Sequence, residues 1–171
     1  MEVNEILNAG ADQWRAYVER HRYVYRLMPD NDLVAVSYYP FLLGQPPEKA
    51  LQWLTEQFDR FGKPYAFVET NDTGDRLVLP KSKIVIDGSP EKQAAYLRVL
   101  LALAEQRRFE FVVLFIHRDY DALWDKIKAT APELFMAWRD CGLLDEQGRA
   151  RPACAVWREY FERPLRRGPG P

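Results

Sequence analysis

Glu69 ends an apolar run, Pro64-Tyr65-Ala66-Phe67-Val68, that is too short for a helix. Pro64 has no N–H to give a sheet ladder, so it belongs at a strand's first position. The residues after it read as a strand buried on both faces, as in a parallel sheet. Glu69 then stands at the carboxyl end of that strand, where α/β sheets bind ligands and carry out chemistry. A carboxylate there can serve as nucleophile or general base, or can simply be a solvated strand-end residue. A second carboxylate, Glu5, follows Asn4 at the end of a short apolar stretch that begins at Val3. Two carboxylates from different strand ends, about 5–5.5 Å apart, can break a glycosidic bond with retention. One attacks the anomeric carbon while the other donates and then accepts a proton. Taken alone, Glu5 reads more simply as an exposed residue near a terminus.

Two further groups sit at the ends of apolar segments. Tyr38 and Tyr39 close the run that starts at Leu33, and alternation points them to opposite faces. One of them can hydrogen-bond a carboxylate at the mouth while the other packs under a helix. His117-Arg118-Asp119-Tyr120-Asp121 follows the run Phe109 to Ile116. This cluster can contact sugar hydroxyls, with His117 and Asp119 the candidates, or can cap and ion-pair the next helix. Trp124, Trp138 and Trp157 lie at helical spacing in apolar surroundings and read as core before sugar platforms. The chain has no G-x-G-x-x-G, P-loop, G-x-S-x-G or H-E-x-x-H pattern, so nucleotide, serine-hydrolase and zinc-protease chemistry have no support.

The elements that must position these groups alternate along the chain. Val3 to Leu7 is a short strand candidate, and Asp12 caps a helix to about Met28. Leu33 to Tyr39 is a second strand, ended by Pro40. Pro46-Pro47 opens a helix to about Phe61, with Ala50, Leu51, Leu54 and Phe58 on its apolar face and Gly62 as its stop. Pro64 to Glu69 is the third strand, and Asn71 to Asp75 a polar loop. Leu77 to Ile86 is an excursion with some extended structure. Ser89-Pro90-Glu91 starts a long helix, and Phe109 to Ile116 is the fourth strand. Short helices follow near Tyr120–Ala129 and Glu133–Cys141, and Pro152 starts a last one to about Phe161. Strands separated by helices mean βαβ units and a parallel sheet.

Composition bounds the partners. The chain has 171 residues, 47% of them apolar, enough for one domain with a real core. A formal net charge of −1 gives no footprint for nucleic acid or an anionic membrane. No window approaches the ~18–20 apolar residues of a membrane span. The acidic start Met1-Glu2-Val3-Asn4-Glu5 lacks the regions of a signal peptide, so the chain as written is expected to stay in the cytoplasm. Cys141 and Cys154 read as ordinary thiols, and two histidines without a Cys/His cluster give no zinc site. The basic, Pro/Gly-rich residues 163–171 read as a frayed tail on a domain spanning 1–162.

Several stretches together carry a family resemblance. Asp32 to Pro40 resembles the sixth strand of a TIM-barrel glycoside hydrolase of the clan with two catalytic glutamates. Gly62 to Thr70 resembles the seventh. Phe111 to Asp121, Ala137-Trp138-Arg139-Asp140 to Gly142, and Arg151-Pro152-Ala153 to Trp157-Arg158 resemble the eighth strand and closing helices. Val3-Asn4-Glu5 is similar to the Asn-Glu pair at the end of the fourth. Among the clan, the chain is most similar to bacterial arabinogalactan endo-galactanase-like proteins. The resemblance implies an α/β fold, a partial (β/α)8 TIM barrel of about four parallel strands with flanking helices. It implies retaining hydrolysis of a polysaccharide without a cofactor, with Glu69 as nucleophile and Glu5 as acid/base. Asn4, Tyr38, Tyr39, His117 and Asp119 would contact the carbohydrate. The family is often exported.

The chain supplies four strand candidates where such a barrel closes with eight. An open piece exposes sheet edges and an apolar inner face. Its expected remedies are a homodimer, a partner chain that completes the barrel, or collapse into a sandwich. The alternative to an enzyme is therefore a non-catalytic barrel segment that binds carbohydrate or serves assembly.

Overall fold

The computed structural model describes residues 30–44, 46–59 and 61–164. Asn4, Glu5, the strand candidate Val3 to Leu7 and the helix from Asp12 to Met28 lie outside the described residues, as does the tail from 165. Within them the order is β1 (Val34–Ser37), a 3-10 turn (Pro40–Leu43), α1 (Pro47–Asp59), β2 (Tyr65–Thr70), β3 (Leu77–Leu79) and β4 (Ile84–Ile86). Then follow α2 (Pro90–Arg107), β5 (Phe111–Leu114), α3 (Asp121–Ile127), a 3-10 helix (Glu133–Trp138) and α4 (Pro152–Phe161). Among the described residues no helix is long and apolar enough to cross a membrane.

Among the described residues the sheet has three parallel strands in the order β1-β2-β5. Two βαβ units build it, with α1 and α2 in the crossovers. The fold is α/β, part of a (β/α)8 barrel. The fourth strand candidate of the sequence is the one outside the described residues. Side chains alternate across the arc. Val34, Val36, Phe67, Val112 and Leu114 meet α1, α2 and α4 in the main core. Ala35, Ala66, Phe111 and Val113 turn to the inner side of the arc by the register of the strands.

α2 holds this core together. Ser89 caps it by accepting the Lys92 N–H at 3.2 Å, and Pro90 takes the first helical position. Ala94, Tyr96, Leu97, Leu100 and Leu101 are all buried. The helix ends where Arg108 enters the left-handed region at φ 54° and returns its N–H to Ala104 and Glu105.

A second, smaller core covers the carboxyl ends of the strands. Tyr39, Phe41, Leu77, Leu79, Ala137 and Cys141 form it. The excursion after β2 is an antiparallel hairpin, β3 with β4, whose turn Glu133 closes by accepting the Lys81 and Ser82 N–H groups. The segment expected as a helix near Glu133–Cys141 is a six-residue 3-10 helix. It starts after Pro132 and carries Ala137 into this core. Cys141 and Cys154 are free thiols.

Leu100 is fully buried between the sheet and the helix layer. Leu100→Ala is expected to cost about 2–5 kcal/mol, the transfer term plus the cavity left behind. A urea midpoint lowered at unchanged slope checks this.

Candidate active site

The strand register decides where Glu69 points. Val34, Ala35 and Val36 pair in step with Tyr65, Ala66 and Phe67, but Ser37 pairs with Glu69. Val68 is the extra residue of a β-bulge. Strict alternation would send Glu69 to the same face as Phe67, into the helix layer. The bulge flips the phase, so Glu69 shares the inner face with Ser37 and Thr70 returns to the core side. Bulges commonly re-aim a side chain in this way beside functional sites. The irregularity recurs against β5, where Phe67 pairs with Val112 and Thr70 with Leu114.

Tyr39 meets Glu69 on that face. Its hydroxyl donates to Glu69 Oε1 at 2.5 Å. The Tyr39 ring is held edge-on by Phe41, at 5.9 Å and 83°, and by Trp138, at 5.6 Å and 80°. Burial first, then the hydrogen bond and the negative charge of Glu69, push the phenol far above its usual range, so Tyr39 is a fixed donor. Tyr38 turns the other way, into the main core beside Tyr96. Burial likewise raises its phenol.

The loop behind Glu69 is tied down by buried polar groups. Thr70 Oγ1 donates to the Tyr38 carbonyl at 2.6 Å and contacts the Tyr96 hydroxyl. Asn71 Nδ2 donates to the Cys141 carbonyl at 2.6 Å. Gln93, fully buried in the first turns of α2, donates to the carbonyls of Asp72, Cys141 and Gly142 at 3.1–3.2 Å.

Arg151, just before α4, spans the next layer. Its guanidinium reaches Asp119 Oδ1 at 2.8 Å, Asp75 Oδ2 at 2.7 Å and the Gly142 carbonyl at 3.1 Å. Asp119 also accepts the Gly142 N–H at 2.7 Å. A Cβ at Gly142 would lie 2.5 Å from the Asp119 nitrogen, so the close approach requires glycine there. Asp119 is thus buried, with both hydrogen bonds on Oδ1, while Oδ2 is held only as an ion pair with Arg151 at 2.7 Å. Burial raises its carboxyl, opposed by Arg151. His117 is exposed, and its carbonyl accepts the Leu144 N–H. Of the candidates in the described residues, Tyr39 and Glu69 are the pair brought into contact.

Two acidic triads have ligand atoms within 4.8 Å of one another: Asp75, Asp119 and Asp140, and Asp119, Asp121 and Glu146. The guanidinium groups of Arg151 and Arg139 already occupy them, through Asp75, Asp119, Asp121 and Asp140. The arrangement is that of an ion-pair network more than a cation cage.

Chemically, the site offers one carboxylate at the carboxyl end of a parallel strand, oriented by a phenol and backed by an aromatic wall. No family model and no curated protein matches the chain. Solved structures do. The β-glucuronidase of Bifidobacterium dentium complexed with coumarin-3-O-glucuronide is 16% identical, with a TM-score of 0.57 over 92% of this chain and 29% of that one. Faecalibacterium prausnitzii β-glucuronidase is 18% identical, with a TM-score of 0.58 over 90% and 28%. Ruminococcus gnavus β-glucuronidase is 19% identical, with a TM-score of 0.55 over 77% and 22%. The likeness shows the fold: a segment of the TIM barrel of these glycosidases. The chain spans less than a third of the length of the first two.

Asp72 gives this region a pH signature. It is buried beside Glu69's loop, and burial raises its carboxyl to about 6, opposed by the Thr73 N–H and Lys92. Between the unfolded value near 4 and about 6, the native state holds a proton that the unfolded chain has lost. Stability from this group is therefore full below about pH 4 and falls as pH rises through 6. Asp72→Asn keeps the acceptor for Thr73 N–H and removes the charge. It is expected to raise stability at pH 7.5 by up to about 3 kcal/mol and to leave it unchanged at pH 4. Urea denaturation of both proteins at the two pH values checks the difference.

Proposed function

We propose that this chain is the nucleophile-bearing part of a retaining glycoside hydrolase. The observation that carries the reading is the Tyr39–Glu69 hydrogen bond, formed on a bulge at the carboxyl end of a parallel barrel strand. With Oε1 held by Tyr39, Oε2 of Glu69 is left to attack the anomeric carbon. The bond to the aglycone breaks as its oxygen takes a proton from the acid. Water then cleaves the glycosyl ester, giving its proton to the same residue and releasing the Glu69 carboxylate. The acid/base is assigned to Glu5, with Asn4 beside it and a carboxyl separation of about 5–5.5 Å as its requirement. Tyr39 acts on the nucleophile, and His117 at the exposed end of the β5 segment is a candidate sugar contact. Two sugars are in question: galactan, from the sequence resemblance, and a glucuronide, from the ligands of the structural neighbours.

The test uses aryl β-galactoside and aryl β-glucuronide with activated leaving groups. Glu69→Gln is expected to reduce hydrolysis to the buffer rate. Glu69→Ala with added azide is expected to release a glycosyl azide of inverted configuration, because azide takes the place of the carboxylate. Hydrolysis by Glu69→Gln at the wild-type rate would remove the assignment.

A second reading has its own observation. Val68, Phe111 and Val113 are 41%, 43% and 48% exposed on or beside the inner face, where a closed barrel would bury them. This supports a barrel segment that works in assembly, covering that face with a second copy, or that binds carbohydrate without turnover. Saturable sugar binding without hydrolysis favours the latter. For the former, sedimentation of the wild type is expected to give a dimer that Val113→Lys dissociates. A monodisperse wild-type monomer removes it.

A further inference from the structure

Thr70 occupies the joint between the two strands that carry the site. It follows Glu69 on β2, and its hydroxyl donates at 2.6 Å to the carbonyl of Tyr38, which precedes Tyr39. The same oxygen meets the Tyr96 hydroxyl from α2. A threonine hydroxyl has one proton, and the Tyr38 carbonyl takes it, so the Tyr96 phenol is the donor in the second contact. Thr70 and Tyr96 are fully buried and Tyr38 nearly so, and solvent does not reach them to replace either bond.

The hydroxyl fills a gap in the ladder. The Tyr38 N–H reaches the Glu69 carbonyl at 2.9 Å. Parallel pairing in that register would carry the next bond from the N–H of Asn71 to the Tyr38 carbonyl. Among the described residues no backbone N–H takes that place, and the Thr70 side chain supplies the bond instead. One residue away on each strand, Tyr39 and Glu69 meet at 2.5 Å. A hydrogen bond that short tolerates little change in the spacing of the two backbones that carry it.

We propose that Thr70 is a positioning residue for the reacting carboxylate: its hydroxyl, held from α2 by Tyr96, clasps the end of β1 to the end of β2 and so keeps the Tyr39 hydroxyl on Glu69. The inference rests on the assignment of Glu69 as nucleophile for its functional meaning, but not for its geometry. The bulge that aims Glu69 inward is also what turns Thr70 toward Tyr38 and Tyr96. One irregularity thus places both the carboxylate and its clasp.

The test reads the Tyr39 hydroxyl proton directly, by NMR of the intact chain. Held against a carboxylate at this distance, it is expected to give a downfield resonance, identified by its loss in Tyr39→Phe. Its position reports the bond in the folded protein and does not move with stability. Thr70→Val keeps the shape of the side chain and removes the hydroxyl. It is expected to shift the resonance upfield or to lose it to exchange with water. Thr70→Ser restores the donor and is expected to give the wild-type position. Leu100→Ala lowers stability in the same core without touching the clasp and is expected to leave the position unchanged. Thr70→Val also leaves the Tyr96 hydroxyl buried without a partner, whereas Thr70→Val with Tyr96→Phe removes both hydroxyls at a smaller cost to folding. The double variant is expected to match Thr70→Val. A wild-type position in either overturns the proposal. So does an equal shift in Thr70→Ser or Leu100→Ala, or no such resonance in the wild type. Where hydrolysis is measurable, Thr70→Val is expected to lower kcat with little change in KM, and Thr70→Ser to restore it. Failure of Glu69→Gln to stop hydrolysis would instead overturn the nucleophile assignment and leave the hydroxyl result standing.

Discussion

One extra residue in β2 organises the site. Alternation is the strict rule of a strand, so a side chain's face is fixed by its distance from any other in phase. Phe67 must face the helix layer, because it fills the core with Leu51, Leu97 and Leu100. Counted from there, Glu69 would be buried among apolar side chains, at a cost no nearby cation offsets. Inserting Val68 between the paired positions removes the conflict. It turns Glu69 to the inner face and returns Thr70 to the core side, where its hydroxyl bridges β1 and α2.

The rest of the region keeps that register from slipping. A bulge leaves the ladder weaker at the point where the carboxylate needs to be held. Bonds to side chains take over from ladder bonds there. Tyr38 N–H still reaches the Glu69 carbonyl at 2.9 Å, and Phe115 N–H the Thr70 carbonyl at 3.1 Å. Beyond them, Asn71, Gln93 and Arg151 bind the loop to residues 141–142 with buried donors. Such a network contributes more to a single geometry than to net stability, since every member was solvated in the unfolded chain. Its value is positional: removing Arg151 would leave the buried Asp119 charge without its counter-ion.

Much of this was legible in the sequence, and the exceptions have a common cause. Ser89-Pro90 and Pro152 announced helix starts because caps and proline act through local backbone chemistry. Glu69 announced itself as the polar end of an apolar run. The bulge left no mark, because Phe67-Val68 is apolar on either phase and carries no glycine. A tyrosine bonded to a carboxylate at the mouth was legible in Tyr38-Tyr39, but which of the two it is, across thirty residues, is decided only by the pairing of β1 with β2. Trp138 read as core and packs against the second one, but its contact with Tyr39 and the bonds of Arg151 join distant segments that spacing does not link. The helix read near Glu133–Cys141 is a 3-10 helix over Glu133–Trp138, because so short a segment does not distinguish the two periods. Local signals were readable; which residues meet on tertiary closure was readable only in outline.

The two halves of the proposed mechanism therefore differ in what they depend on. Everything described as fixing Glu69 comes from β1, β2, α2, β5, the two 3-10 segments with Phe41 and Trp138, and Arg151 ahead of α4. These elements pack on one another through two cores that do not involve the exposed inner face. Among the described residues, the orientation of the Glu69 carboxylate is then set within this arc, by the bulge, Tyr39 and the network behind it. The acid/base has no such independence, because a carboxyl about 5–5.5 Å away must come from across the barrel. A chain built in this way can hold Glu69 in one orientation whether or not a barrel closes around it. In the proposed mechanism, closure would decide whether a sugar is held between two carboxylates, and so whether the aim of Glu69 gives turnover or only binding.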